Sequence, residues 1–192
     1  MPIFDHFGII APFYERLIPL REPEQIIELL RPPLDGPLLD AGGGTGRVSQ
    51  ALRNIAPQIV VADLSEGMLR QALDQHSLET VCSHTERLPF PDHTFSRVIM
   101  VDALHHVCNH EKTAAEMWRV LKPGGRIIVE EPDVRLFSVK FVALFEKLAL
   151  MRSHFISPPR ISALFSDPGA VKRIEQESFN AWVIVDKDGT AP

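Results

Sequence analysis

Residues 38–49 read LLDAGGGTGRVS: an apolar run, Asp40, Ala41, then Gly42, Gly43 and Gly44, with Gly46 two residues further on. Main chain that bare, between a buried strand and a helix, lets a ligand come close to backbone N–H groups. Three ligand classes use such turns. A phosphate-binding P-loop closes on Gly-Lys-Ser/Thr, but Gly46 is followed by Arg47 and Val48. A dinucleotide turn needs G-x-G-x-x-G. Counted from Gly42, the third glycine position holds Arg47; counted from Gly44, it holds Ser49. What stands here is Asp40-x-Gly42-x-Gly44-x-Gly46. A carboxylate beside free amides suits a zwitterion, the amides taking its carboxylate and the aspartate its ammonium. The stretch VVADLSEGML then sets Asp63 at the end of a second strand. That is about 20 residues past the loop, where a ribose-binding acid stands in a βαβ unit. Leu64 and Met68 follow as flanks for an adenine. An amino acid joined to a nucleoside describes S-adenosylmethionine, with S-adenosylhomocysteine as its product.

Methyl transfer from a sulfonium is an in-line displacement. It needs positioning, water exclusion and at times a base, but no metal. A phenol or a protonated amine as acceptor gains from a histidine. His105 and His106 follow a fourth strand, and Glu130 and Glu131 end a fifth. His105, His106 and Glu131 are the catalytic candidates. The alternative is that the two histidines are structural, one packed in the core and one bonded to backbone. HHVCNH is not read as a metal site, because no second Cys/His cluster accompanies it. Asn109 caps the helix that follows.

The elements that must position these groups alternate. Strands are expected near 37–40, 58–62, 80–82, 97–101 and 126–130. Helices are expected at 48–55, from Ser65 onward, and at 111–121, the last stopped by Lys122-Pro123-Gly124-Gly125. That rhythm implies βαβ units and a mostly parallel sheet covered on both faces. Ligands bind such sheets beyond the carboxyl ends of the strands. Ile9–Leu30 reads as helix in two pieces, broken near Pro19 and Pro23. A long apolar helical stretch runs over 133–157 and a short helix over 159–166. A hairpin over 171–187 turns near Phe179-Asn180.

Bulk properties agree with one compact unit. The chain has 192 residues, a net charge of −5, 45% hydrophobic residues and two cysteines. The acidic balance and the absence of a basic run interleaved with aromatics argue against nucleic acid. Two cysteines make no disulfide framework. The N-terminus lacks a basic leader, and no apolar run reaches membrane-spanning length. A cytoplasmic protein is expected.

Four stretches resemble the class I S-adenosylmethionine-dependent methyltransferases, in particular the small ubiquinone/menaquinone-biosynthesis-like group. They are LLDAGGGTGRVS, VVADLSEGMLRQA, TERLPFPDHTFSRVIMVDALHHV and EMWRVLKPGGRIIVEEP, in matching order and spacing over residues 38–132. The resemblance implies a doubly wound α/β fold: a mostly parallel seven-stranded sheet, Rossmann-like, with an antiparallel last strand. It implies that Asp40, Ala41, Gly42, Gly43, Gly44 and Gly46 line the methionine part of the cofactor. Asp63 holds the ribose, Leu64 and Met68 touch adenine or ribose, and the backbone of Asp102 and Ala103 meets the amino end. The group commonly carries an adenine-binding acid where this chain has His84. Adenine is therefore left to the backbone at Thr85 and Glu86, or to the neutral imidazole of His84 as acceptor. Ser96 also replaces an aspartate, at a position expected to close a turn.

One domain is expected, with a helical lid over 1–33, a cofactor core over 34–132, a helical acceptor cap over 133–170 and a terminal hairpin over 171–192. Tyr14 in the lid can reach the methionine carboxylate; the alternative is an aromatic helix packed on the domain. The stretch 136–151 is apolar beyond one helical stripe, so it must bury more than one face. It lines a pocket for a small hydrophobic or aromatic acceptor, or makes a homodimer contact. The rival to an enzyme is an S-adenosylmethionine-binding protein without transfer activity.

Overall fold

The computed structural model describes residues 23–76, 78–136, 154–177 and 179–189. Its sheet has seven strands in the order β3-β2-β1-β4-β5-β7-β6. They are β1 (Leu38–Ala41), β2 (Ile59–Asp63), β3 (Glu79–Cys82), β4 (Phe95–Val101), β5 (Leu121–Pro132), β6 (Ala170–Glu177) and β7 (Asn180–Lys187). The first five pair in parallel. β7 runs antiparallel to both β5 and β6. The helices are α1 (Pro23–Leu30), α2 (Arg47–Leu52), α3 (Glu66–His76), α4 (His110–Val120) and α5 (Pro158–Leu164).

Alternation within the central strands builds two cores. Leu39, Val98, Met100, Ile127, Val129 and Val183 bury on one face. Leu38, Ile99, Ile128, Trp182 and Ile184 bury on the other, with Ile26, Leu30, Val48 and Leu52 from α1 and α2. Strands apolar on both faces are what a sheet covered on both sides demands. Each fully buried aliphatic side chain contributes about 1.5–3 kcal/mol. The sheet's order reverses between β1 and β4, and the crevice there is where such sheets bind ligands. Both candidate halves of the site gather at this edge.

Three local expectations need correction. β5 starts at Leu121, not Arg126, because Leu121 already pairs with Phe95 before a register shift. Ser96 closes no turn. It sits inside β4, with its N–H and Oγ both on the Pro37 carbonyl at 2.9 and 3.3 Å. The apolar stretch after Pro132 does not begin or end as helix in the described residues: 133–136 is a turn and 154–157 is irregular. Phe137–Ser153, which carries most of the expected acceptor cap and dimer contact, lies outside the described residues, as do Tyr14 and the rest of 1–22.

Side chains pin the far end of the sheet. Arg126 is buried and grips Asp186 with Nε and Nη2 at 2.6 and 2.9 Å, while Nη1 donates to the Leu29 carbonyl at 2.6 Å. A fork-shaped cation therefore ties β5, β7 and the end of α1 together. Asn109 caps α4 as expected, accepting from the Lys112 N–H at 2.9 Å. Cys82 and Cys108 are both free. No helix among the described residues is long and apolar enough to cross a membrane.

Candidate active site

The glycine turn is shaped from beneath. Gly42 donates to the Ala62 carbonyl at 2.7 Å, which carries β1 into the loop. Its φ is +75°, and a Cβ there would stand 2.8 Å from the Ala103 Cβ. Gly43 lies directly over Asp40: a Cβ there would fall 2.5 Å from the carboxyl carbon. Any side chain at 43 would thus displace the acid. Asp40 is 1% exposed and accepts from Ser49 Oγ at 2.7 Å. Burial pushes its carboxyl up to about 6, against the Ser49 bond and the charge of Arg47. Thr45, also 1% exposed, has an Oγ1 with no hydrogen-bond partner among the described residues. A buried hydroxyl without a partner at the centre of a binding loop points to a ligand that supplies one.

Asp63 holds the loop from the side. Its Oδ2 accepts from the Gly44 N–H at 2.9 Å and its Oδ1 from the Ser65 N–H at 2.8 Å. The carboxylate is fixed in plane at the mouth of the turn. Leu64 beside it is 43% exposed, whereas Met68 is buried and donates its N–H to Ser65 Oγ at 3.3 Å. Only the first presents its side chain outward. Thr85 is buried against Thr113, their hydroxyls 3.2 Å apart. Glu86 Oε1 accepts from the N–H groups of Cys108 and Asn109 at 2.9 and 3.2 Å. Protein thus engages both side chains. His84 is exposed, its Nδ1 3.8 Å from Glu86 Oε2.

At the end of β4, Asp102 has φ +55°, unusual for a residue other than glycine, and its N–H donates to the Glu130 carbonyl at 3.0 Å. That backbone reversal sets Ala103 against Gly42. Glu130, bonded through Oε1 to Asn180 Nδ2, is pushed up to about 7 by burial first and by Asp102 second.

The other face of the same edge is built from side chains. Glu131 and His105 are each 3% exposed. Glu131 Oε2 lies 2.6 Å from His105 Nδ1, and its Oε1 accepts from the Leu104 N–H at 2.6 Å. Both carboxylate oxygens therefore lock the short turn Leu104–His106. The His105 ring stacks on Phe155, with centroids 4.2 Å apart and 10° between planes. The His106 ring is tilted against the His105 ring, with centroids 3.9 Å apart. Burial, then His105 nearby, lower the His106 imidazole to about 3, so it is neutral at physiological pH. His110 is also shifted down by burial. Among the described residues no cluster of three His, Cys, Asp or Glu is placed to hold a metal ion.

The structure thus brings Asp40, the glycines, Asp63, Asp102 and Ala103 together, and His105, His106 and Glu131 together beside them. Sequence reasoning missed Thr45, Ser49, Arg47 and Phe155. Thr45 was findable, since a hydroxyl between two loop glycines is a donor in the right place. Phe155 was not, because its contact to His105 spans fifty residues and follows no motif.

The partnerless Thr45 hydroxyl, the turn that admits no side chain over Asp40, and a carboxylate at the end of β2 suit a ligand with amino-acid and ribose parts. On this sheet order they define a class I S-adenosylmethionine-dependent methyltransferase. Comparisons with known proteins agree. Residues 39–129 match the model of the methyltransferase domain family. A demethylmenaquinone methyltransferase from Clavibacter sepedonicus is 34% identical over 149 residues, 76% of this chain and 58% of that relative. A ubiquinone/menaquinone biosynthesis C-methyltransferase from Geobacter sulfurreducens is 31% identical over 207 residues, 93% of this chain and 77% of the relative. A solved S-adenosylmethionine-dependent methyltransferase from Thermotoga maritima shares the fold, with a TM-score of 0.79 at 23% identity, over 95% of this chain and 98% of that one. The chain belongs to the class I S-adenosylmethionine-dependent methyltransferases of the ubiquinone/menaquinone-biosynthesis-like group.

Proposed function

We propose that this methyltransferase acts on a small hydroxylated aromatic acceptor, and that His106 receives the hydrogen bond of the acceptor's hydroxyl. The observation that carries the reading is the buried Glu131–His105 pair. Its two carboxylate bonds fix the turn that carries His106. His105 lies too deep to meet a ligand, so contact from this turn falls to its half-buried neighbour. With its proton affinity lowered to about 3, His106 accepts a hydrogen bond and does not hold a proton at neutral pH. It orients the acceptor and leaves the hydroxyl's electron density on the ring. Glu131 and His105 are positioning residues. Asp63 accepts from the ribose, the glycine loop and the backbone of Asp102 and Ala103 hold the methionine part, and the backbone at Thr85 and Glu86 meets the adenine. When bound, S-adenosylmethionine supplies a methyl group already activated on a sulfonium. Two relatives named for quinone-type acceptors, one of them a C-methyltransferase, support a ring acceptor and attack from carbon.

The test is an acceptor panel with radiolabelled S-adenosylmethionine: hydroxylated benzenes and naphthalenes with and without an apolar tail, then primary and secondary amines. Label on the hydroxylated rings is expected. Transfer only to amines sinks the acceptor class. Tight cofactor binding with no transfer to either set leaves a binding protein in place of an enzyme.

A further inference from the structure

Arg47 follows the glycine loop, and its side chain is only 14% exposed. Its nearest carboxylate oxygen, Oδ2 of Asp102, is 4.0 Å from Nη2, and among the described residues its guanidinium makes no hydrogen bond. Three other buried or half-buried arginines behave differently. Arg126 closes on Asp186 at 2.6 Å, Arg119 on Glu116 at 2.7 Å, and Arg97 Nε on the Leu30 carbonyl at 3.0 Å. An arginine kept only to neutralise acids has every reason to close to such a distance. Arg47 instead faces three acids from three strand ends without gripping any: its charge reaches Asp40 of β1, Asp102 after β4 and Glu130 of β5. Thr45, two residues earlier, adds a buried hydroxyl with no partner.

Five planar donors match a carboxylate in a two-point contact. The surrounding acids match cations. One guanidinium among carboxylates, at the mouth of an amide-lined loop, repeats in reverse the charges of an α-amino acid that carries a sulfonium. We propose that Arg47 binds the α-carboxylate of S-adenosylmethionine, with Asp102 left to the cationic side of the same moiety. The assignment rests on the chain's membership among the methyltransferases, which supplies the ligand. It adds a side chain to a subsite otherwise made of backbone and Thr45.

Calorimetric titration separates this from a structural role. Wild type, Arg47→Ala and Arg47→Lys are titrated with S-adenosylmethionine and with its decarboxylated form, which lacks only the carboxylate. Loss of a desolvated two-point contact to a charged group weakens binding by about 10- to 100-fold. Arg47→Ala should lose that factor for the full cofactor and less than about 2-fold for the decarboxylated form, with Arg47→Lys between. Equal losses for both ligands, or none for either, overturn the proposal. Unfolding midpoints show that the variants fold; if the alanine variant does not, the lysine variant carries the same comparison. Wild type that binds neither ligand removes the cofactor reading, and this proposal with it.

Discussion

The two halves of the site sit at one sheet edge and are made of different materials. The half proposed for the cofactor is mostly backbone: amides of the loop after β1 and the reversed main chain at Asp102, with carboxylates that fix those amides in place and Thr45 and Arg47 beside them. The half proposed for the acceptor is side chain: Glu131, His105, His106 and Phe155, none covalently near its partner except the histidine pair. A site built mainly from backbone is most sensitive to a change that adds atoms to a glycine, and beyond that to loss of the few charged side chains that line it. A side-chain site tolerates changes of neighbours but fails when one partner of a buried pair is deleted. The comparison therefore says where each half breaks.

The largest effect falls on the backbone half. Gly43→Ala sets a methyl 2.5 Å from the Asp40 carboxyl carbon, and the acid cannot move without leaving Ser49. Loss of about 100-fold or more in cofactor affinity is expected, from the sensitivity of a positioned site to displacement of about 1 Å. The fold, whose core lies elsewhere, should persist by circular dichroism. Retained affinity in titration would mean that the loop relaxes and that its geometry does not set binding.

Glu131→Ala attacks the other half. It removes the carboxylate that His105 Nδ1 and the Leu104 N–H share. Removing the acceptor of buried hydrogen-bonding groups costs about 1–3 kcal/mol each, read as a lower urea midpoint, and turnover should fall with it. Affinity for S-adenosylhomocysteine, measured in the folded fraction, should change less than about 3-fold. Equal damage to binding would mean the halves are one cooperative unit.

The same division explains what the sequence disclosed. Gly42, Gly44, Gly46 and Asp63 were legible because local spacing encodes them: a turn needs its glycines, and a strand end needs its acid, within one βαβ unit. The mostly parallel sheet followed from the alternating elements, and the seven strands with an antiparallel last one from the family resemblance; the order of the strands came only with the structure. The start of β5 was not legible. Lys122-Pro123-Gly124-Gly125 contains strong turn formers, yet Leu121 joins the sheet ahead of them because Phe95 is there to pair with. The Glu131–His105 pair spans 26 residues and two strands. The sequence placed both residues at strand ends but not on each other, because which face a strand-end side chain takes depends on register. Ser49 under Asp40 escaped for a similar reason: a serine in a helix shows nothing of the buried carboxylate it serves.

Asp40 offers a smaller, pH-dependent contrast. Its folded-state carboxyl is pushed up to about 6 from an ordinary 3.8, so the folded chain holds the proton more tightly than the unfolded chain. Stability contributed by this group is present at low pH and is lost as pH rises between those two values. At 1.36 kcal/mol per pKa unit the loss is up to about 3 kcal/mol. Asp40→Asn should therefore match wild type near pH 4 and exceed it by about 2–3 kcal/mol above pH 7 in urea unfolding without ligand, while binding cofactor less well. A stability difference that does not vary with pH would show that the carboxyl is ionised throughout.

His106 gives the mildest break, and the one that separates orientation from base catalysis. If the imidazole only receives a hydrogen bond, His106→Gln keeps an acceptor at that place and His106→Ala removes it. A single hydrogen bond from an acceptor hydroxyl is worth about 0.5–1.5 kcal/mol. The alanine variant should then lose up to about 10-fold in turnover, and glutamine should recover part of it. A histidine acting as general base at neutral pH would behave otherwise. Its loss would cost about 100-fold or more, glutamine would recover nothing, and the wild-type rate would rise through an ionisation near pH 6–7. With His106 held to about 3, that ionisation has no source in this side chain. The pH–rate profile of His106→Gln against wild type decides it: profiles of the same shape and different height support orientation, and a limb missing from the variant supports a base.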